Sequence, residues 1–100
     1  MLSVSNEIKG DVNEIKLVGR LDAKAARDAE DTFAHATDAA PNVVLDFSEL
    51  DYIASAGLRV LKRLRDDVRK KEGSLVVRGV QEDVMEVLEM TGFSVMLTFE

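Results

Sequence analysis

One hundred residues suffice for one domain and are too few for two self-supporting cores, so the whole chain, 1-100, is expected to fold as a unit. Apolar residues at 46%, charged residues at 32% and a single proline describe a globular chain; the lack of cysteine and the single histidine remove disulfides, thiolate metal sites, cysteine nucleophiles and paired-imidazole chemistry. A net charge of -6 argues against unaided binding to nucleic acid or to an anionic membrane and favours a protein partner, while the lack of a leader or of a long apolar run predicts a cytoplasmic location.

In chain order, Leu2, Val4 and Ile8 alternate loosely and Ile15-Lys16-Leu17 alternates strictly. Gly10-Asp11 between them predicts an antiparallel pair. Asp22 is placed to cap a helix from about Ala23 to Thr37, whose thin apolar face is Ala26, Ala29, Phe33 and Ala36, and Pro41 forbids continuation. Val43 to Phe47 is a nearly continuous apolar run, which predicts a central strand covered on both faces.

Ser48 to Ala54 reads as a connection into a second helix over Ser55 to Glu72, with Leu58, Leu61, Leu64 and Val68 inward and Gly73 as a left-handed cap. Leu75-Val76-Val77 is a further strand, and Val84, Val87, Leu88 and Thr91 mark a third helix closed by Gly92. Val95, Leu97 and Phe99 alternate in a last strand. The order β-β-α-β-α-β-α-β predicts an α/β fold: a mixed, mostly parallel sheet flanked by helices and joined by right-handed crossovers.

Ligands of such sheets gather where strands run into helices, and three connections qualify: Gly19 to Asp22, Asp46 to Leu58, and Arg78 to Gln81. The second is richest in polar groups. Ser55 there reads as an N-cap or as a modification site, because a helix N-terminus tolerates added negative charge. It does not read as a nucleophile, since His35 shares no triad spacing with it. Asp22, Asp46 and Asp51 are expected near the same surface.

Gly57 in the first turn of a helix costs roughly 1 kcal/mol in propensity. Either the helix packs too closely for a side chain, or a partner's backbone approaches the turn. The second helix carries seven basic side chains, Lys62 among them, against three acidic ones; it is a solvated face, a surface for an acidic partner or, less in keeping with the missing aromatics, a nucleic-acid face. Asp46, Glu49 and Asp51 make a weak magnesium pattern with no phosphate loop beside it, so no cofactor is expected.

Three segments resemble the STAS domain, specifically the stand-alone bacterial anti-sigma factor antagonists: Val18-Gly19-Arg20-Leu21-Asp22, then Val44 through Leu58, and Thr91-Gly92-Phe93. The resemblance implies a binding protein, not an enzyme. It implies that the unphosphorylated chain binds the ATP-binding domain of a serine protein kinase that is also an anti-sigma factor, and that phosphorylation of Ser55 releases it. A metal-dependent serine phosphatase then restores the binding form.

Ala54 stands where the family usually has Asp, and Ala56 leaves Ser55 as the only hydroxyl in the turn. Asp22, Ala56, Gly57, Leu58 and Lys62 are expected to contact the partner. In that surface Gly57 allows close approach, Leu58 or a neighbour anchors an apolar pocket, and Asp22 accepts from a partner cation. The free chain is expected to be a monomer. The alternative function is a small-ligand or nucleotide-binding α/β domain using the strand-end crevice.

Overall fold

A computed structural model describes residues 2–100. The elements are β1 (Leu2–Lys9), β2 (Val12–Leu21), α1 (Ala23–Ala34), β3 (Asn42–Ile53), α2 (Ser55–Lys70), β4 (Leu75–Arg78), α3 (Glu82–Met90), α4 (Phe93–Met96) and β5 (Thr98–Phe99). The five strands lie in chain order across one sheet; β1 and β2 form the antiparallel hairpin and every later pair is parallel. This is the expected α/β order with one added helical turn, α4.

Because β2, β3, β4 and β5 step across the sheet in one direction, right-handed crossovers put α1, α2 and α3 on one face. Burial follows. Ile15, Leu17, Val43, Leu45, Leu75 and Val77 point into one core with Ala26, Phe33, Leu61, Leu64, Val84 and Leu88 from the helices. The alternate residues Lys16, Val44, Asp46, Val76 and Arg78 are only half-buried, so the expectation that β3 is covered on both faces is corrected. The uncovered face is kept soluble by charge. Lys16 pairs with Glu49 at 2.6 Å, and Arg78 reaches Glu100 at 3.2 Å and Glu14 at 3.9 Å.

The central strand does not end at Phe47. Twice between β2 and β3 an extra β3 residue is inserted, as the pairing passes from Lys16↔Asp46 to Val18↔Glu49 and from Gly19↔Leu50 to Arg20↔Tyr52. Each bulge resets the alternation, so the inward residues continue as Leu50 and Ile53 at a spacing of three. The segment expected as a connection is therefore strand.

Asp22 caps α1 as expected, its carboxylate accepting from the Ala25 amide at 2.9 Å. The helix ends at Ala34 rather than Thr37, with His35 as its C-cap and the His35 ring 2.7 Å from the Asp38 carboxylate. At the end of α2 the left-handed residue is Glu72 (φ 56), not Gly73. Gly73 is required for a different reason: a Cβ there would lie 1.9 Å from the Pro41 carbonyl oxygen. Gly92 (φ 83) ends α3 as expected, but the chain then forms α4, leaving Val95 89% exposed and only Thr98 and Phe99 in the last strand.

Candidate functional site

The three strand-to-helix connections do not converge. β2 stays paired with β3 as far as Leu21↔Ile53, whereas β4 stops at Arg78, opposite Asp46. The third connection consequently packs beside Ser48, whose carbonyl accepts from the Gln81 amide group at 2.9 Å and whose Cβ would sit 3.0 Å from a side chain at Gly79. The first two connections do meet. The Ala54 amide donates to the Leu21 carbonyl at 2.9 Å, which brings the Asp22 cap and the start of α2 together.

Ser55 is exposed and is the first residue of α2. Ala54, not Ser55, holds the N-cap position, and no side chain bonds the free amides of the first turn. The cap reading of Ser55 is thereby corrected: its hydroxyl projects from the first turn instead of closing it. The uncapped N-terminus carries partial positive charge with no acidic residue in its first turn, a setting that favours an added anion. Across the junction, the Ala25 amide holds the Asp22 carboxyl below its usual range, with Arg20 and Lys24 adding to the effect.

Of the other expected contact residues, Ala56 is half-buried beside Ser55 and Lys62 is exposed, bonded to Asp66 at 3.3 Å. Gly57 and Leu58 face inward. A Cβ on Gly57 would lie 2.8 Å from Leu21 Cγ and 3.0 Å from Ile53 Cγ1, so tight packing of α2 on the strand ends accounts for this glycine. Leu58 is 7% exposed and belongs to the core, which leaves the role of apolar anchor to a neighbour.

Asp46 is not at this turn. It lies in the outward row opposite Lys16 and Arg78, accepting from the Ser48 amide at 2.9 Å. Its hydrogen bonds from Ser48 lower its pKa, assisted by Lys16 and Arg78.

One pair at the site was absent from the sequence reading. Arg20 lies over the Tyr52 ring, 4.2 Å from its centroid, and both side chains are exposed just before the two turns. Their positions two and three residues ahead of Asp22 and Ser55 are a usable signal only when the strand register is known.

His35 sits at the far end of the twelve-residue α1, roughly 18 Å along the helix from Asp22, and is out of reach of Ser55. Among the described residues no cluster of three or more metal-binding side chains occurs, and no helix is long and apolar enough to cross a membrane. The strand order never reverses, so the parallel sheet lacks the switch-point crevice that a nucleotide-binding alternative would use.

A sheet stepped in one direction, with its helices on one face and an exposed serine opening the second helix, defines a small α/β domain with an open turn at the head of α2. The chain belongs to the STAS domain family, whose model matches residues 3–100. Over 51 residues it is 47% identical to BtrV of Bordetella bronchiseptica, provisionally named as an anti-sigma factor antagonist; the match covers 51% of this chain and 44% of that relative, under half its length.

A provisionally named anti-sigma factor antagonist from Thermotoga maritima has the same fold, with a TM-score of 0.88 at 17% identity over 96% of this chain and 84% of that one. The anti-sigma factor antagonist SpoIIAA is similar in its unphosphorylated form (TM-score 0.79, 16% identity, 98% and 87% covered). So is the phosphorylated form of Bacillus SpoIIAA (TM-score 0.76, 16% identity, 98% and 91% covered).

Proposed function

We propose that the chain is an anti-sigma factor antagonist switched by phosphorylation: unmodified, it binds a serine protein kinase that is also an anti-sigma factor, and phosphorylation of Ser55 releases it. The observation that carries this reading is the exposure of Ser55 at an uncapped helix N-terminus, as the single hydroxyl of its turn. The provisional name of BtrV, the 47% identical relative, supports the class of partner. The fold shared with both forms of SpoIIAA supports a switch that leaves the backbone in place.

The chemistry belongs to the kinase. The Ser55 Oγ–P bond forms as the bond from the γ-phosphorus to the β–γ bridging oxygen of ATP breaks, ADP leaves with the electron pair, and the hydroxyl proton passes to a kinase base. This chain supplies the acceptor and the docking surface of Asp22, Ala56 and Lys62, with Gly57 keeping the turn close to the sheet. A metal-dependent serine phosphatase reverses the modification, and the free chain is a cytoplasmic monomer.

The test takes the kinase recovered from the native cell on a Ser55→Ala bait and incubates it with the chain and ATP-magnesium. Mass spectrometry is expected to find one phosphate, on Ser55, and none in Ser55→Ala. Modification of Ser48 or Tyr52 instead, or undiminished labelling of the variant, overturns the assignment.

A further inference from the structure

Between α1 and α2 runs a groove of about 440 Å³ with Ala26, Phe33, Val60 and Leu64 in its apolar lining. It begins at Ala56, beside Ser55, and Arg59 and Arg63 border it on the α2 side. Ser55, Arg59 and Arg63 follow one another at four-residue steps and are all exposed, so they share one stripe of the helix. Elsewhere on α2, Lys62 and Arg65 both reach Asp66. Arg59 forms no ion pair among the described residues.

Resting on the reading of Ser55 as the phosphoacceptor, we infer that Arg59 is the residue that registers the modification: a phosphate on Ser55 draws the Arg59 guanidinium into an ion pair along α2 and off the rim of the groove. An acidic group one turn N-terminal to a basic one is the favourable order for such a pair. A phosphate brings about -1.5 to -2 charges and three acceptor oxygens, which suit the planar guanidinium fork. Arg63, a further turn away, lies beyond the reach of the same phosphate. The groove therefore loses one of its cations without any backbone movement.

The test uses the full chain assembled by peptide ligation with phosphoserine at 55, so that no kinase is needed. Phosphorus NMR follows the second ionisation of the phosphate against pH. A cation beside the phosphate favours the dianion, so Arg59→Gln is expected to raise the midpoint by a few tenths of a pH unit. Arg59→Lys is expected to restore part of the shift and Arg63→Gln to leave the midpoint where it was. The uncapped helix end acts equally in all these chains and cancels from the comparison.

An unmoved midpoint in Arg59→Gln, or an equal movement in Arg63→Gln, overturns the inference. A thermal melt gives a second readout: Arg59→Gln should lower the Tm of the phosphorylated chain more than that of the bare one, and equal changes count against the pair. Failure of a kinase to modify Ser55 would remove the proposed switch and leave this measurement standing, so the two failures are distinguishable.

Discussion

Arg20 stands opposite Tyr52 in the last paired turn of β2 and β3, its guanidinium carbon 4.2 Å from the ring centroid. The contact clasps the two strands where they deliver Asp22 and Ser55. An exposed stack of this kind contributes about 0.5–1 kcal/mol. A double-mutant cycle with Arg20→Ala and Tyr52→Ala, read by urea denaturation, is expected to return a coupling in that range. Strict additivity would show that the stack does not persist in solution.

Two glycines should respond to the same substitution by very different amounts. Gly57→Ala gains about 1 kcal/mol of helix propensity but drives a methyl group against the buried Leu21 and Ile53, a cost of about 1–3 kcal/mol. We expect a net loss near 1 kcal/mol and a Tm lower by about 4–8 °C. At Gly73 the obstacle is the Pro41 backbone carbonyl, which has no rotamer to change, and the loss should exceed about 3 kcal/mol. Calorimetry that ranks the two in the opposite order would reject this account of both positions.

The C-terminal correction is also testable. Val95 projects from α4 into solvent and Leu97 is 7% exposed. Val95→Ser is expected to change stability by no more than about 0.5 kcal/mol, and Leu97→Ala to cost about 2–4 kcal/mol. Comparable losses in denaturant melts would put both side chains in the core and restore a longer last strand.

Acid should weaken the fold through Asp46 and Asp22. Both carboxyls sit below their ordinary range in the folded chain, Asp46 through its hydrogen bonds from Ser48 and Asp22 through the Ala25 amide. A depressed folded pKa means that the unfolded chain binds protons first as pH falls, so the contribution is complete above about pH 4–5 and is lost below that, through the folded value. Urea midpoints measured from pH 6 down to pH 2 should fall, and Asp46→Asn should flatten part of the slope. An unchanged slope in that variant would assign the acid limb elsewhere.

Phosphorylation of Ser55 should separate affinity from stability. Added charge at the uncapped start of α2 is compensated within the molecule by about 0.3–1 kcal/mol. A packed partner, by contrast, must desolvate the phosphate and make room for it. The two forms are expected to melt within a few degrees of each other while titration against the kinase shows an affinity loss of about two powers of ten, roughly 3 kcal/mol. If the melt moves far and the affinity does not, Ser55 serves the fold and not the partner.

The hairpin, the three long helices and the sequence of elements could be read from the chain, because Ile15-Lys16-Leu17 alternates, Leu61, Leu64 and Val68 keep helical spacing, and Asp22, Pro41 and Gly92 punctuate. The placement of Ser55 at the head of α2 was legible for the same reason. The second half of β3 was not: Phe47, Leu50 and Ile53 recur every third residue, a spacing that belongs to neither regular element. What produces it is a pairing irregularity with β2, a relationship between distant residues. The same gap hid Arg20 and Tyr52 as a pair and made the Arg78 to Gln81 connection look like part of the site. The core position of Leu58 was legible, since it opens the helical row Leu58, Leu61, Leu64 and Val68; the contact role that the resemblance implied for it is what burial excludes.

The two β3 bulges lengthen the strand without changing its sidedness. β2 keeps Ile15, Leu17 and Leu21 inward by regular alternation, and each extra β3 residue is taken up outside the ladder, so Leu50 and Ile53 stand opposite Gly19 and Leu21 and Ile53 faces the same way as Val43. Deleting one residue at a bulge would restore regular pairing there and leave Ile53 inward, whereas deleting one from the regular stretch Val43 to Phe47 would turn the residues on one side of the cut to the wrong face. Single-residue changes of length are therefore absorbed at the bulges and nowhere else in β3, and Ser55 keeps its place at the head of α2.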